Sequence, residues 1–231
     1  MLFKAKQFDS AFASLEPYAK RGYPQAQFYV GLLYDMGSIA MMDKRKAVIW
    51  YRKAADQGLA EAEYDMGVMY SKGEGIEKDL KKALIWYLKA AEHGSRYAMY
   101  NLGVVYERGY GVTSDIRTAI EWYQKAIQLK MSKASYNLAS LYYHGDKIDK
   151  NLHTAYTLYQ KAANLGHIEA AFTLGYFYEQ GIGTTRNIAL AKQWYKEAAI
   201  NSHKAARKNL GLLLRKIGET QKAIFWLNHT L

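Results

Sequence analysis

Apolar residues return along this chain at helical spacing, and the whole arrangement then returns again. Between Glu61 and Lys72, the residues Ala62, Met66, Met69 and Tyr70 share one helical face. That segment stops at Gly73-Glu-Gly75. A second apolar stripe, Ala83, Trp86, Tyr87, Ala90 and Ala91, begins after Asp79. Two amphipathic helices joined by a glycine turn are predicted. The same positions recur 36 residues apart: Ala26, Ala62, Ala98, Ala134, Ala170 and Ala206 form one column, and Tyr51, Tyr87, Tyr123, Tyr159 and Tyr195 another. Tyr34, Tyr70, Tyr106, Tyr142 and Tyr178 keep the same step, as do Ala54, Ala90, Ala126, Ala162 and Ala198. Many independent columns with one period mark a repeat architecture. We read a single repeat domain over 1–231, with a leading half repeat at 1–24 and full units at 25–60, 61–96, 97–132, 133–168 and 169–204. A shortened repeat covers 205–231.

The units carry their own punctuation. Asp43, Asp79, Asp115, Asn151 and Asn187 precede the second helices and can accept a bond from an exposed backbone N–H. Gly22, Gly58, Gly94 and Gly166 stand where second helices end and positive φ is favoured. Lys130 and Ser202 replace glycine in that column, which predicts that those two ends close differently. Gly31, Gly67, Gly103, Gly175 and Gly211 lie inside first helices, where glycine costs about 1 kcal/mol against alanine. Their recurrence predicts close helix–helix approach, with Ala139 as the substitute in the fourth unit. Gly37, Gly73, Gly109, Gly145 and Gly181 end the first helices, and Gly75, Gly111 and Gly183 follow two residues later.

Composition now has a cause. Of 18 glycines, all but Gly218 fall in these columns, and ten of the 21 tyrosines fall in two, so the excess of both belongs to the repeat. The absence of cysteine excludes disulfides, thiolate metal sites and cysteine nucleophiles. No run of about 18 apolar residues offers a membrane span. Met1 to Phe12 is amphipathic and lacks the apolar core of a signal peptide. The compartment stays open: periplasm or secretion if a signal peptide has been removed, the cytoplasm otherwise. A start on a lone second helix points to a removed upstream segment. The apolar end with Phe225, Trp226 and Leu227 offers itself for dimerisation or a missing segment.

Catalytic patterns fail one by one. Gly73-Glu-Gly75 and Gly181-Ile-Gly183 do not continue into a dinucleotide fingerprint, and no phosphate-loop motif occurs. His93, His144, His153, His167, His203 and His229 include no H-x-x-x-H pair that would place two imidazoles on one helix face. No nucleophile elbow or Ser-x-x-Lys pair is present. We expect no catalytic residue, no metal, no cofactor and no small-molecule substrate.

The columns carry a resemblance. Ala98-Met-Tyr-Asn-Leu102-Gly103-Val-Val-Tyr106, then Gly109-Tyr-Gly111-Val112, Asp115, Ala119 and Trp122-Tyr123, is similar to the Sel1-like repeat, a relative of the tetratricopeptide repeat. Ser38-Ile-Ala-Met-Met42, Asp146-Lys147-Ile148 and Leu158 depart from the pattern. The shortened last unit and Phe8-Asp-Ser-Ala11 have tetratricopeptide-like spacing. The resemblance implies an all-α fold, a right-handed superhelical α-solenoid of stacked antiparallel helix pairs with a concave surface. It also implies a non-enzymatic adaptor that binds a protein or peptide in that groove. The alternative within the family is a bacterial immunity or inhibitor protein that neutralises a secreted toxin.

Aligned on the tetratricopeptide pattern, four first-helix columns face the groove. One contains Tyr64, Tyr100, Tyr136 and Lys208, and the next contains Asp65, Asn101, Asn137 and Asn209. Asp35, Ser71, Glu107, Tyr143, Glu179 and Arg215 form the third, and Lys72, Arg108, His144 and Lys216 belong to the fourth. Asparagine can pair with both groups of an extended peptide, and tyrosine adds rigid amphipathic area. Tyr64, Tyr100, Asn101, Arg108, Tyr136, Asn137, Tyr143 and Asn209 are therefore candidate partner contacts. The competing role for Tyr64, Tyr100 and Tyr136 is packing between repeats. Lys208, Arg215 and Lys216 would draw an acidic segment or a C-terminal carboxylate to the last unit. The net charge of +11, from 32 basic and 21 acidic residues, also raises nucleic acid as a rival partner. It is the weaker reading, because Lys53, Lys89, Lys125 and Lys161 recur on second helices and scatter outward.

Overall fold

The computed structural model describes residues 2–37 and 42–228. Most of the divergent first-unit loop, Ser38 to Met41, lies outside the described residues, as do Met1 and the end from His229 to Leu231. Among the described residues there are thirteen helices and no strand. They are α1 (Leu2–Lys20), α2 (Pro24–Met36), α3 (Lys44–Ala55), α4 (Ala60–Lys72), α5 (Leu80–Glu92), α6 (Arg96–Arg108) and α7 (Ile116–Gln128). There follow α8 (Ser132–His144), α9 (Leu152–Asn164), α10 (Ile168–Gln180), α11 (Ile188–Ile200), α12 (Lys204–Lys216) and α13 (Thr220–Asn228). The chain forms tandem helical hairpins, divided into two compact units, Met1–Trp122 and Tyr123–Leu231.

In the first unit α2 packs on α3 and α4 on α5 as hairpins, and α3·α4 and α5·α6 join one hairpin to the next. Its core contains Tyr51, Met66, Tyr87 and Leu102 between columns of fully buried alanine. In the second unit the hairpins are α8·α9, α10·α11 and α12·α13. Tyr159, Leu174, Phe177, Tyr195 and Leu210 fill its core. At Gly31, Gly67 and Gly175 the second-helix tyrosine packs directly on glycine. A Cβ on Gly67 would lie 2.5 Å from the Tyr87 ring, and one on Gly175 would lie 2.4 Å from Tyr195. At these positions the mid-helix glycine is thus the seat of a tyrosine ring, and at Gly211 of Leu227, which offsets its poor helix propensity.

The predicted caps are present. Asp43 accepts from the N–H groups of Arg45 and Lys46, and Asp79, Asn151 and Asn187 accept from Lys82, Thr154 and Leu190. Asp115 does the same for Arg117 and Thr118. The expectation for Lys130 and Ser202 is overturned. Both take the left-handed conformation of the glycines they replace, with φ 59 and 67, beside φ 81 at Gly58 and Gly166. The reason is the bond that the turn closes. Met131 N–H reaches Ala126 O at 3.0 Å and His203 N–H reaches Ala198 O at 3.1 Å, the counterparts of Leu59 N–H on Ala54 O. Those bonds satisfy carbonyls that the helix end would otherwise strand.

Candidate protein-binding site

The first-helix face of the first unit contains a built cavity. It has a volume of about 510 Å³ and lies against α4, α5 and α6. Val68, Leu80, Ala83 and Val104 give it an apolar wall, and Tyr64, Ser71, Tyr87 and Asn101 a polar one. The buried Val105 and the exposed Lys72, Lys78 and Tyr110 complete the lining.

The polar wall is fixed from beneath by the buried Tyr87. Its hydroxyl donates to Ser71 Oγ at 3.4 Å, and Ser71 Oγ donates in turn to the Val68 carbonyl at 2.8 Å. Asn101 faces the hydroxyls of both Tyr64 and Tyr87 and opposes the upward shift that burial gives them. Tyr64 lies against Tyr87 and Tyr97, with ring centroids 6.1 and 5.7 Å away. Burial, with Tyr87 and Asp65 nearby, pushes the Tyr64 hydroxyl up to about 12, so it stays protonated at neutral pH.

One repeat earlier the same register holds charge. Tyr51 donates to Asp35 Oδ2 at 3.2 Å, and Lys44 Nζ also binds Asp35. Asp65 stands in the asparagine column. Burial, then Asp35 and Glu61, push its carboxyl up to about 7, with Lys72 opposing.

The second unit repeats the tyrosine–asparagine link. Asn137 donates to Tyr123 Oη at 3.3 Å, and Asn209 to Tyr195 Oη at 3.5 Å. Tyr195 itself donates to Glu179 at 2.9 Å. Tyr136 is half-buried, edge-on to Tyr159 at 5.4 Å and stacked on His167 at 4.5 Å. Tyr143 packs on Phe177 at 5.4 Å. Lys208, Arg215 and Lys216 are all exposed on α12.

Of the candidates read from sequence, Tyr64 and Asn101 are brought together on one cavity. Tyr100, half-buried on α6, and Arg108, exposed near its end with Nη1 3.4 Å from Tyr110 Oη, do not line it. Packing between repeats and partner contact are not exclusive roles for the tyrosines, because rings such as Tyr64 and Tyr136 remain half-buried. Sequence reasoning put Ser71 on the groove face without choosing it as a contact, and it missed Lys78. The signal for Ser71 was its small size in a column otherwise filled by Asp35, Glu107, Tyr143, Glu179 and Arg215. Among the described residues, no three His, Asp or Glu side chains gather into a metal-holding group, and no helix is long and apolar enough to cross a membrane.

The model of the Sel1 repeat family matches residues 24–59, 60–95, 96–131, 132–167 and 168–203. The chain is a Sel1 repeat protein. Such proteins generally mediate protein–protein interaction, and their fold is generally a non-enzymatic scaffold. Among solved structures, this Sel1 repeat protein is similar to one from Oxalobacter formigenes. The identity is 31%, the TM-score 0.80, and the match covers 100% of this chain and 94% of the other. It is also similar to c5321, a protective antigen of uropathogenic Escherichia coli strains displaying an SLR fold, at 30% identity and TM-score 0.87. That match covers 94% of this chain but 47% of the antigen, so the chain spans about half of that relative's length. The immunity protein Pa5087 of Pseudomonas aeruginosa shares the fold at 24% identity and TM-score 0.55, over 84% of this chain and 81% of its own. No curated protein gives a significant match.

Proposed function

We propose that this Sel1 repeat protein is a non-enzymatic adaptor that holds a protein or peptide on its first-helix face. The observation that carries the reading is the cavity of about 510 Å³, with Tyr64 and Asn101 on a wall where the buried Tyr87 packs against Tyr64 and holds Ser71. A concave site with a mainly apolar lining and a few positioned polar groups is what ligand recognition needs. The pre-set hydrogen bond between Tyr87 and Ser71 reduces the ordering that binding would otherwise cost. In the second unit, Tyr136, Asn137, Tyr143 and Asn209 supply the corresponding contacts. Lys208, Arg215 and Lys216 draw acidic segments to it.

Affinity capture from native cell fractions, followed by mass spectrometry, identifies the partner. The double variant Tyr64→Ala with Asn101→Ala should then lose at least tenfold in partner affinity while its melting temperature changes little. Unchanged affinity in a folded variant removes the assignment. A single partner bound tightly and stoichiometrically would place the protein with toxin inhibitors, and several weaker partners with adaptors. Binding abolished by nuclease treatment would move it to nucleic acid.

A further inference from the structure

The cavity is open because two residues, one from each of two successive repeats, are small. Two repeats further on, the position of Ser71 holds Tyr143 and that of Val105 holds Phe177. Those two rings pack together at 5.4 Å in the second unit. At the first-unit site a hydroxymethyl group and an isopropyl group replace them, and open volume takes the place of the aromatic pair. The fold itself therefore shows what fills such a space: a large apolar side chain.

The charge at this cavity is of one sign. Lys72 and Lys78 line it, and no carboxylate does. Among the described residues Lys78 has no ion-pair partner, and its stem packs over Gly73, where a Cβ would lie 3.1 Å from Lys78 Cβ. Lys72 reaches only Glu74, at 3.6 Å, and Glu74 is shared with Lys44 at 3.1 Å. Tyr64, Ser71 and Asn101 provide neutral hydrogen-bonding groups on the remaining wall.

We propose that this cavity binds the C-terminal residue of a partner polypeptide: its apolar side chain enters between Val68 and Val104, and its free carboxylate pairs with Lys78 and Lys72. A terminal carboxylate is attached to the same Cα as the side chain. Burying that side chain therefore brings the charge to the lysines. An internal residue would bring an uncharged peptide bond instead, so unpaired lysine charge at the mouth favours a chain end. This inference rests on the protein-binding reading above and names the partner class of that site.

Nuclear magnetic resonance titration of the full chain tests it with N-acetyl-L-leucine, N-acetyl-L-leucinamide and amide-capped N-acetyl-Leu-Asp. The acid should give saturable shifts at Val68, Ala83 and Val104 and bind at least fivefold tighter than leucinamide. Ser71→Tyr, which installs the residue of the fourth unit, should abolish those shifts in a folded protein. Lys78→Gln should bind the acid no better than the amide. Equal binding of acid and amide, full binding by Ser71→Tyr, or no saturable shift with any probe would overturn the proposal. Tighter binding of the capped Leu-Asp probe would overturn it in favour of an internal acidic segment. If a captured partner responds to Tyr64→Ala with Asn101→Ala but not to Ser71→Tyr, the adaptor reading stands and this one fails.

Discussion

His93 Nδ1 lies 2.7 Å from Glu63 Oε2, 30 residues away in the chain, and joins the end of the α4–α5 hairpin to its own start. The carboxylate is 2% exposed while the imidazole is 50% exposed, so the histidine is the polar link from a buried acid to the surface. One repeat earlier the same two positions hold Gln27 and Gln57, with Gln57 Nε2 donating to Gln27 Oε1 at 2.7 Å. The register is conserved between these two repeats although the chemistry changes from neutral to ionisable. Removing only the histidine strands a buried acid. We expect His93→Ala to lose about 2 kcal/mol in urea unfolding at neutral pH. The double variant Glu63→Gln with His93→Gln, which copies the preceding repeat, should recover most of that loss.

Asp65 makes the fold sensitive to rising pH. Its carboxyl titrates near 7 in the folded protein, against 3.8 ordinarily, because burial, Asp35 and Glu61 oppose its charge. Folding then holds a proton that the unfolded chain releases. The contribution is full below about pH 4, declines as pH rises, and is lost above about pH 7. Asparagine occupies this column at 101, 137 and 209 without difficulty. Asp65→Asn should therefore gain about 1–3 kcal/mol at pH 7.5 and close to nothing at pH 4, measured by denaturant melts at both pH values.

Lys130 and Ser202 hold a left-handed backbone that side chains with a Cβ adopt at a cost of about 1–2 kcal/mol. Glycine at either site removes that strain and keeps the closing hydrogen bond. Its greater freedom in the unfolded chain takes back part of the gain. Lys130→Gly and Ser202→Gly should each stabilise by about 0.5–1 kcal/mol. Thermal unfolding of the single variants checks this, and no gain at either site would mean that the turn is not strained.

His167 works as a helix cap only while neutral. Its Nδ1 accepts from the Ala170 N–H at 3.3 Å, and the ring stacks on Tyr136. Burial lowers its pKa below the ordinary 6.5, with Lys133 acting in the same direction and Glu169 opposing. The unfolded chain takes up the proton first. Stability from this residue is present above about pH 6.5 and declines as pH falls toward the folded pKa. His167→Asn keeps a capping oxygen and removes the titration. Between pH 7 and pH 5 it should lose less stability than the wild type, by about 0.5–1 kcal/mol.

The helices, caps and repeat period follow from local rules that one sequence displays openly. A 36-residue step in alanine, tyrosine and glycine columns repeats each local preference many times, so the elements and their order were readable without coordinates. Even the close approach at Gly67 was legible, because glycine inside a helix demands a neighbour. Two kinds of fact were not. The backbone of Lys130 and Ser202 depended on whether a closing hydrogen bond outweighs Cβ strain, which is a balance of energies and not a pattern. The cavity depended on an absence of atoms at Ser71 and Val105, which lie 34 residues apart in the chain and meet only when α4 packs near α6. Sequence determined which residues each repeat presents. Tertiary packing decided where those side chains fail to fill the space between two repeats, because volume is shared between elements and belongs to none of them.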